Sequence, residues 1–197
     1  VQALAQLAEK GDAQTIATVT KRLEDSDAFV RQAAVYELAQ LAEKGDAQTI
    51  AAVTKRLEDS DLSVQNTAVR ALAQLAEKGD AQTIAAVTER LEHSEGFVRQ
   101  AAVLALAQLA EKGDAQTIAA VTKRLEDSDG DVQQAAMQAL AQLAEKGDAQ
   151  TIAAVTKRLE HSHGVSRYAA VQALAQLAEK GDAQTIATVT KRLEDSD

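Results

Sequence analysis

Cysteine and proline are absent from the 197-residue sequence, and aromatic residues make up only 2% of it. Without cysteine the chain has no disulfide framework, no thiolate metal site and no thiol nucleophile. Cysteine usage therefore gives no redox compartment, and the localisation stays unknown. Because aromatic residues are so few, any core must be built from Leu, Ile, Val and Ala.

The balance of charge is acidic, with a formal net charge of −9. A nucleic-acid partner is not expected, because phosphate binding requires clustered Lys and Arg. No apolar run approaches the roughly 18 residues of a membrane-spanning helix, and no signal peptide is recognisable, so no membrane partner is expected either. With 46% apolar and 26% charged residues, we expect a folded, soluble chain.

The segment LAQLAEKGDAQTIA occurs six times without a substitution. We call it the framework segment; its copies begin at Leu4, Leu38, Leu72, Leu106, Leu140 and Leu174. A constant period of 34 residues indicates an array of stacked structural repeats. Because no linker or shift in composition interrupts the array, we predict a single domain, residues 1–197, of about five and a half units.

The first part of each unit, Asp12 to Asp27 in the first complete copy, predicts a helix of about three turns, here called helix A. Its inward stripe follows the spacing i, i+3, i+4, i+7 and consists of Ile16, Val19, Thr20 and Leu23. Asp12 is the expected N-cap. Gly11 is expected at the C′ position of the preceding helix, where a positive φ is needed.

The second part of each unit, from about Ala28 to Lys44, predicts helix B, with Asp27 as its N-cap. Its apolar stripe consists of Val30, Ala34, Leu38 and Leu41. Short connections between the two helices favour an antiparallel hairpin. One hairpin cannot bury both apolar faces, so neighbouring hairpins must stack.

The start of helix B reads D-x-x-V-R-x-A-A-V-x-x-L and is formed by Asp27, Val30, Arg31, Ala33, Ala34, Val35 and Leu38. This pattern resembles the HEAT repeat, and the similarity extends over the whole chain. The sequence departs from the family by lacking the Pro that often follows the Asp and by carrying Ser166 in place of Val in the last unit. Tetratricopeptide repeats also have a period of 34, but their framework aromatics and Pro are missing here.

The resemblance implies an all-α, right-handed α-solenoid of stacked antiparallel helix pairs, with B helices lining the concave surface and A helices the convex one. It also implies that Arg31, Arg99 and Arg167, which alternate with Gln65 and Gln133, pair with an Asp of the neighbouring unit. A contact from these arginines to a ligand is the alternative. The near-identity of the units is similar to artificial scaffolds of the alphaRep type, although those have a shorter period.

Substitutions between units concentrate on one face of helix B. At 100° per residue, positions 29, 32 and 36 lie roughly 160–220° from the core direction of Ala34, so they form one outward stripe. We call this stripe, with its equivalents in later units, the variable face. The predicted partner-binding residues are Phe29, Gln32, Tyr36, Leu62, Ser63, Asn66, Arg70, Phe97, Gln100, Leu104, Asp131, Gln134, Gln138, Val165, Tyr168 and Gln172.

All four aromatic residues, Phe29, Tyr36, Phe97 and Tyr168, lie on the variable face, and the framework segment has none. Exposed rings favour association, and such rings dominate binding hot spots. The pattern therefore predicts non-catalytic binding of a protein or peptide in the concave groove. Neutral drift is the alternative, but drift would not collect every ring on one face.

The sequence contains no pattern typical of a catalytic, cofactor-binding or metal site. No HExxH, GxSxG, GxGxxG or Walker motif is present, and no cofactor is expected. His161 and His163 are two residues apart in a turn, but no third ligand is fixed beside them, so no metal site is predicted. His93 and His161 are interpreted as turn residues that replace Asp.

Both ends of the array look uncapped. Either the chain is a piece of a longer array, or its ends stack on other molecules, so end-to-end self-stacking is a further hypothesis. Three origins and roles stay open. An artificial binding scaffold is the first choice, a natural array with recently duplicated repeats is the second, and a self-assembling structural array without an outside partner is the third.

Overall fold

The computed structural model describes residues 8–161 and 164–194, with side chains at 8–159 and 167–191, and every regular element within these ranges is helical. The predicted all-α fold is confirmed. None of the helices in the described part of the chain has the length and apolar character to span a membrane.

Helices A and B alternate along the chain, and we number them in order. They are α1 (Ala13–Thr20), α2 (Ala28–Leu41), α3 (Ala47–Thr54), α4 (Leu62–Leu75), α5 (Ala81–Glu89), α6 (Gly96–Leu109), α7 (Ala115–Lys123), α8 (Gly130–Leu143), α9 (Ala149–His161), α10 (Gly164–Leu177) and α11 (Ala183–Glu194). Odd-numbered helices are A helices and even-numbered helices are B helices. Helices α1, α3, α5 and α7 continue as a short 3-10 turn, for example Lys21–Glu24 after α1, which completes the predicted three turns.

The chain divides into two compact units, Val1–Leu109 and Ala110–Asp197. In the first unit the B helices α2, α4 and α6 pack side by side in that order, and each packs against the A helix of its own hairpin. In the second unit α8 packs against α10, and each again packs against the A helix before it. The interpretation of residues 1–197 as a single domain stays a prediction.

Aspartates cap both kinds of helix, as predicted. The Asp12 carboxylate accepts a hydrogen bond from the Thr15 backbone N–H at 3.1 Å. The Asp27 carboxylate accepts one from the Phe29 N–H at 2.8 Å. Each bond satisfies one of the backbone donors that a helix N-terminus leaves unpaired.

Glycine closes each hairpin in a way that the sequence did not reveal. Gly11 adopts the predicted positive φ, +85°, but its N–H donates to the Leu41 carbonyl at 2.7 Å, at the end of the B helix that follows. Helix B therefore ends at Leu41 and not at Lys44, with Ala42 already extended. The prediction of Gly11 as the C′ residue of the preceding helix was wrong: the equivalent Gly45 lies four residues beyond the end of α2.

The framework segment takes part in two hairpins at once. Its leucine carbonyl accepts the closing bond of one hairpin, and its glycine N–H donates the closing bond of the next. The same bond, 2.7–2.8 Å long, joins Gly11 to Leu41, Gly45 to Leu75, Gly79 to Leu109, Gly113 to Leu143 and Gly147 to Leu177. At Gly11 an added Cβ would also come within 3.2 Å of the Glu43 side chain. The exposed Glu43 side chain can move aside, so substitution at this position is disfavoured mainly by the positive φ.

The core consists mainly of aliphatic side chains, as the composition requires. Val19 and Leu23 of the A stripe are buried, whereas Ile16 and Thr20 are only half-buried. In the B stripe Ala34, Leu38 and Leu41 are buried and Val30 is half-buried. The sequence interpretation missed a row of buried threonines one residue before the isoleucine: Thr49, Thr83, Thr117, Thr151 and Thr185. Each satisfies its hydroxyl locally, since Thr151 Oγ1, for example, donates to the capping Asp148 at 2.8 Å.

The implied pairing of arginine with an aspartate of the next unit is confirmed at Arg31. Its Nε and Nη2 atoms donate to the two carboxylate oxygens of Asp59 at 2.9 and 2.7 Å, a bidentate pair. Arg31 Nη1 also donates to the carbonyl of Asp25 at 2.9 Å. Where glutamine takes the place of arginine, this contact is kept: Gln65 Nε2 donates to the backbone carbonyl of Asp59 at 2.6 Å. Both side chains therefore tie the start of a B helix to the turn before α4.

Asp59 should make the stability of the first unit sensitive to acid. Burial alone would raise the pKa of Asp59, but hydrogen bonds from Arg31 and the Asp61 N–H, with the charges of Arg31 and Arg56, hold it below the ordinary 3.8. A lowered folded-state pKa adds stability above the unfolded-state value, and this contribution is lost as the pH falls through the folded-state value. Urea unfolding between pH 6 and about pH 2 should therefore show a steeper loss for the parent than for Asp59→Asn. Equal slopes would contradict the assignment, and Asp25→Asn is the control because Asp25, the equivalent residue of the preceding unit, is more exposed.

Candidate functional site

The variable face of the first unit is built on α2, α4 and α6, which lie side by side. Equivalent residues are 34 apart, and the bond from Gln40 Nε2 to Gln74 Oε1 at 3.3 Å joins one such pair. Gln32 Nε2 donates at 3.2 Å to the Oγ1 of Thr67, the residue after its equivalent Asn66, so the two helices lie at nearly the same level. Packed helices are about 8–10 Å apart, so the residues form rows with that spacing. The rows are Phe29–Ser63–Phe97, Gln32–Asn66–Gln100 and Tyr36–Arg70–Leu104.

The three helices carry different chemistry on this face. The outer helices α2 and α6 present aromatic and apolar side chains, namely Phe29, Tyr36, Phe97 and Leu104. The central helix α4 presents the polar side chains Ser63, Asn66 and Arg70, with Leu62 at its first residue. The result is a polar strip along α4 with apolar side chains on both sides of it.

The aromatic side chains are exposed, as the helical wheel predicts. Phe29, Tyr36, Phe97 and Tyr168 are between 41% and 83% exposed, and Phe29 is the most exposed. The polar residues Gln32, Asn66 and Gln100 of the middle row are half-buried, while Ser63 and Arg70 are exposed. The first unit therefore presents large rings to solvent while its polar middle row packs more closely between the helices.

A fourth row on the same face belongs to the framework segment and was missed by the sequence interpretation. Gln40, Gln74 and Gln108 are exposed and lie one turn beyond Tyr36, Arg70 and Leu104. They were not among the predicted binding residues because they are identical in every unit. The helical spacing i, i+4 from a variable position was the signal that could have found them.

The second unit presents a smaller set of predicted residues on α8 and α10. Asp131, Gln138, Tyr168 and Gln172 are exposed, and Gln134 is half-buried. Val165 lies outside the residues whose side chains are described. This face carries an acidic residue where the first unit has Ser63 or phenylalanine, so the two units offer different surfaces.

His93 behaves as a turn residue, as predicted. His93 Nδ1 accepts a hydrogen bond from the Glu95 N–H at 3.0 Å, which is the contact that Asp25 and Asp59 make in the equivalent turns. Across residues 8–161 and 164–194, no three His, Asp or Glu side chains are grouped so as to hold a metal ion. No metal site was predicted at His161 and His163. His161 is the last residue of α9, so its interpretation as a turn residue was wrong, and His163 lies outside the described residues.

Open grooves lie between successive A helices, away from the variable face. One of about 710 Å³ is lined by Ala13, Ile16, Thr20, Asp46 and Thr49, and one of about 800 Å³ lies at the equivalent place between α9 and α11. Their lining comes largely from residues that are the same in every unit. A ligand that bound one groove would therefore find the same groove in each unit, so these openings offer no selectivity among the units.

Comparisons with known proteins agree on repeat architecture. Residues 1–73, 50–141 and 118–197 match the family of HEAT repeats. A designed armadillo repeat protein in complex with the peptide (KR)4 is similar over 89% of this chain and 90% of its own, at 20% identity and a TM-score of 0.66. An archaeal HEAT-like repeats protein from Thermococcus onnurineus NA1 is similar over 98% and 83%, at 14% identity and a TM-score of 0.63. These likenesses show the fold; no curated protein matches the sequence.

Proposed function

Since the chain belongs to the HEAT repeat family, we propose that it is a non-catalytic scaffold that binds a protein or peptide through the variable face of its B helices. The observation that carries the proposal is the segregation of the rings. Every aromatic residue lies on this face and is exposed, whereas the framework segment holds none. Stacked repeats offer extended surfaces that suit such partners.

The chemistry of the face also supports binding over catalysis. The first unit combines apolar side chains with neutral amides and one arginine, and these groups match the side chains and backbone of a polypeptide. The structural neighbour in complex with (KR)4 shows that a designed repeat protein of similar fold holds a peptide. By analogy, we assign the concave groove of the solenoid as the binding surface.

A pull-down with the immobilised chain tests the proposal most directly. We expect a protein or peptide to be retained by the parent chain and lost when the exposed rings are removed. Retention that is unaffected by removal of the rings would place binding elsewhere. Turnover of a substrate by the purified chain would contradict the non-catalytic role.

We further propose an artificial origin. Identity over all six copies of the framework segment, beside variation on one face, is what a scaffold with a constant frame and a diversified surface would show. The coding DNA separates this origin from recent duplication. Distinct codons in the six copies would indicate synthesis, and identical codons would indicate duplication.

Self-association is a second candidate role, because α11 exposes apolar surface that is more deeply buried on the other A helices. Ile186 is exposed, whereas the equivalent Ile50, Ile84, Ile118 and Ile152 are half-buried. Beside it lies a groove of about 460 Å³ lined in part by Val171, Leu174 and Val189. If this surface binds a second copy, light scattering should show a mass that rises with concentration, and Ile186→Lys should abolish the rise. A mass that stays monomeric at high concentration would contradict the role.

A further inference from the structure

We propose that the variable face of the first unit binds an extended peptide that places an Asp or Glu side chain on Arg70 and an apolar side chain on each side of it. This inference rests on the proposed function and specifies its partner. It follows from the charge of the face, from the rows across α2, α4 and α6, and from the framework glutamines.

Arg70 is an unpaired positive charge on an otherwise neutral face. It is exposed, and it makes no ion pair with any residue in the described part of the chain. Helices α4 and α6 contain no Asp or Glu, and the single acidic residue of α2, Glu37, is buried. Although the chain as a whole carries a net charge of −9, the exposed charge that these three helices present on the variable face is therefore that of Arg70.

The other two arginines on these helices already bind partners within the chain, so Arg70 is the arginine whose charge faces solvent. Arg31 forms the bidentate pair with Asp59. Arg99 is buried, and its Nη1 donates to the carbonyls of His93 and Ser94 at 2.8 Å. A planar guanidinium with free donors binds a carboxylate in fork geometry, which makes an acidic side chain the complementary group.

The row that contains Arg70 sets the spacing of the partner. Tyr36 and Leu104 lie in the same row on either side, each about 8–10 Å from Arg70 by the usual distance between packed helices. An extended or polyproline II chain advances about 3.1–3.4 Å per residue, so roughly three residues cover one step. The expected peptide therefore carries apolar residues about three positions before and three positions after its acidic residue.

The framework glutamines favour an extended partner over a helical one. Gln40, Gln74 and Gln108 form an exposed row of primary amides parallel to the Arg70 row, and besides the bond from Gln40 to Gln74 the amides keep further donor and acceptor capacity. An extended peptide has free backbone N–H and C=O groups that such amides can bind, whereas an α-helix uses its own internally. Because these glutamines do not vary, they suit a feature that every peptide shares.

A peptide selection tests the inference without a known ligand. A random dodecapeptide library, displayed with its C-terminus fused so that only side chains supply carboxylates, is selected on the full chain, on Arg70→Glu and on Arg22→Glu. Arg22 is the matched control, since it is an exposed arginine in the 3-10 turn after α1 and does not lie on a B helix. We expect acidic residues flanked by apolar residues to be enriched on the parent and on Arg22→Glu, and Lys or Arg to replace them on Arg70→Glu.

Each outcome decides a different statement. Enrichment of the same charge on the parent and on Arg70→Glu would overturn the carboxylate assignment and leave the proposed function intact. If none of the three chains enriched any peptide, both the carboxylate assignment and the proposed binding of peptides would be overturned. For a selected peptide, replacing its Glu by Gln should weaken binding to the parent about tenfold or more and leave binding to Arg70→Gln nearly unchanged.

Discussion

Replacing Phe29, Tyr36, Phe97 and Tyr168 together by alanine is expected to abolish partner binding while leaving the chain folded. Buried aromatic anchors in interfaces are typically worth about 2 kcal/mol of binding free energy or more each. The same rings contribute little to folding, because they are between 41% and 83% exposed in the free chain. We therefore expect each substitution to change the free energy of unfolding by no more than about 1 kcal/mol.

The measurement combines two experiments on the parent and the variant. A pull-down with each immobilised chain reports partner retention, and urea denaturation reports the free energy of unfolding. Ile84→Ala is the control for loss of apolar surface, since Ile84 is half-buried on the A helix α5, outside both the variable face and the surface proposed for self-association. If the quadruple variant lost several kcal/mol of stability, the rings would belong to the core and the binding face would be wrongly assigned.

Leu72→Ala is expected to destabilise the first unit by about 2–5 kcal/mol, the range measured for deleting a fully buried leucine. Leu72 is wholly buried on α4, which packs between α2 and α6 and against α3. Its removal leaves a cavity that this close-packed arrangement cannot fill by collapse. The effect should exceed that of every substitution on the variable face.

Leu62→Ala provides the matched control on the same helix. Leu62 is 38% exposed at the first residue of α4, so its truncation should cost less than about 1 kcal/mol of stability. It should instead weaken partner binding. Urea denaturation followed by hydrogen exchange at the α4 amides distinguishes the two leucines, because repeat arrays can unfold one part at a time. Equal destabilisation by the two substitutions would contradict the division of α4 into a core side and a binding side.

Most of the architecture could be predicted because the same local pattern recurs six times in the sequence. The period of 34, the alternation of two helices, the aspartate caps and the positive φ at Gly11 all follow from local rules for helix periodicity and capping. The outward direction of Phe29 and Tyr36 follows from the same helical geometry. These features depend on residues that are close in sequence, so one chain without relatives is sufficient to predict them.

Contacts between distant residues could not be predicted in the same way. The bond from Gly11 to Leu41 spans a whole hairpin, and local pattern placed Gly11 at the end of the wrong helix. The buried threonines were missed because a polar hydroxyl group is expected at the surface unless a partner, here the capping carboxylate, accepts its hydrogen bond. In both cases a polar group is satisfied by a partner that only the folded chain brings near.

By itself, then, the sequence determined that this chain stacks helix pairs, and it separated a constant frame from a variable face. Only the tertiary structure showed how the frame joins the hairpins, since backbone groups of its leucine and glycine close two successive hairpins. It also showed that Gln40, Gln74 and Gln108 are exposed beside the variable face and that Arg70 makes no ion pair in the described part of the chain. The physical reason is that helix periodicity fixes which side a residue faces, whereas its partners depend on which helices pack side by side.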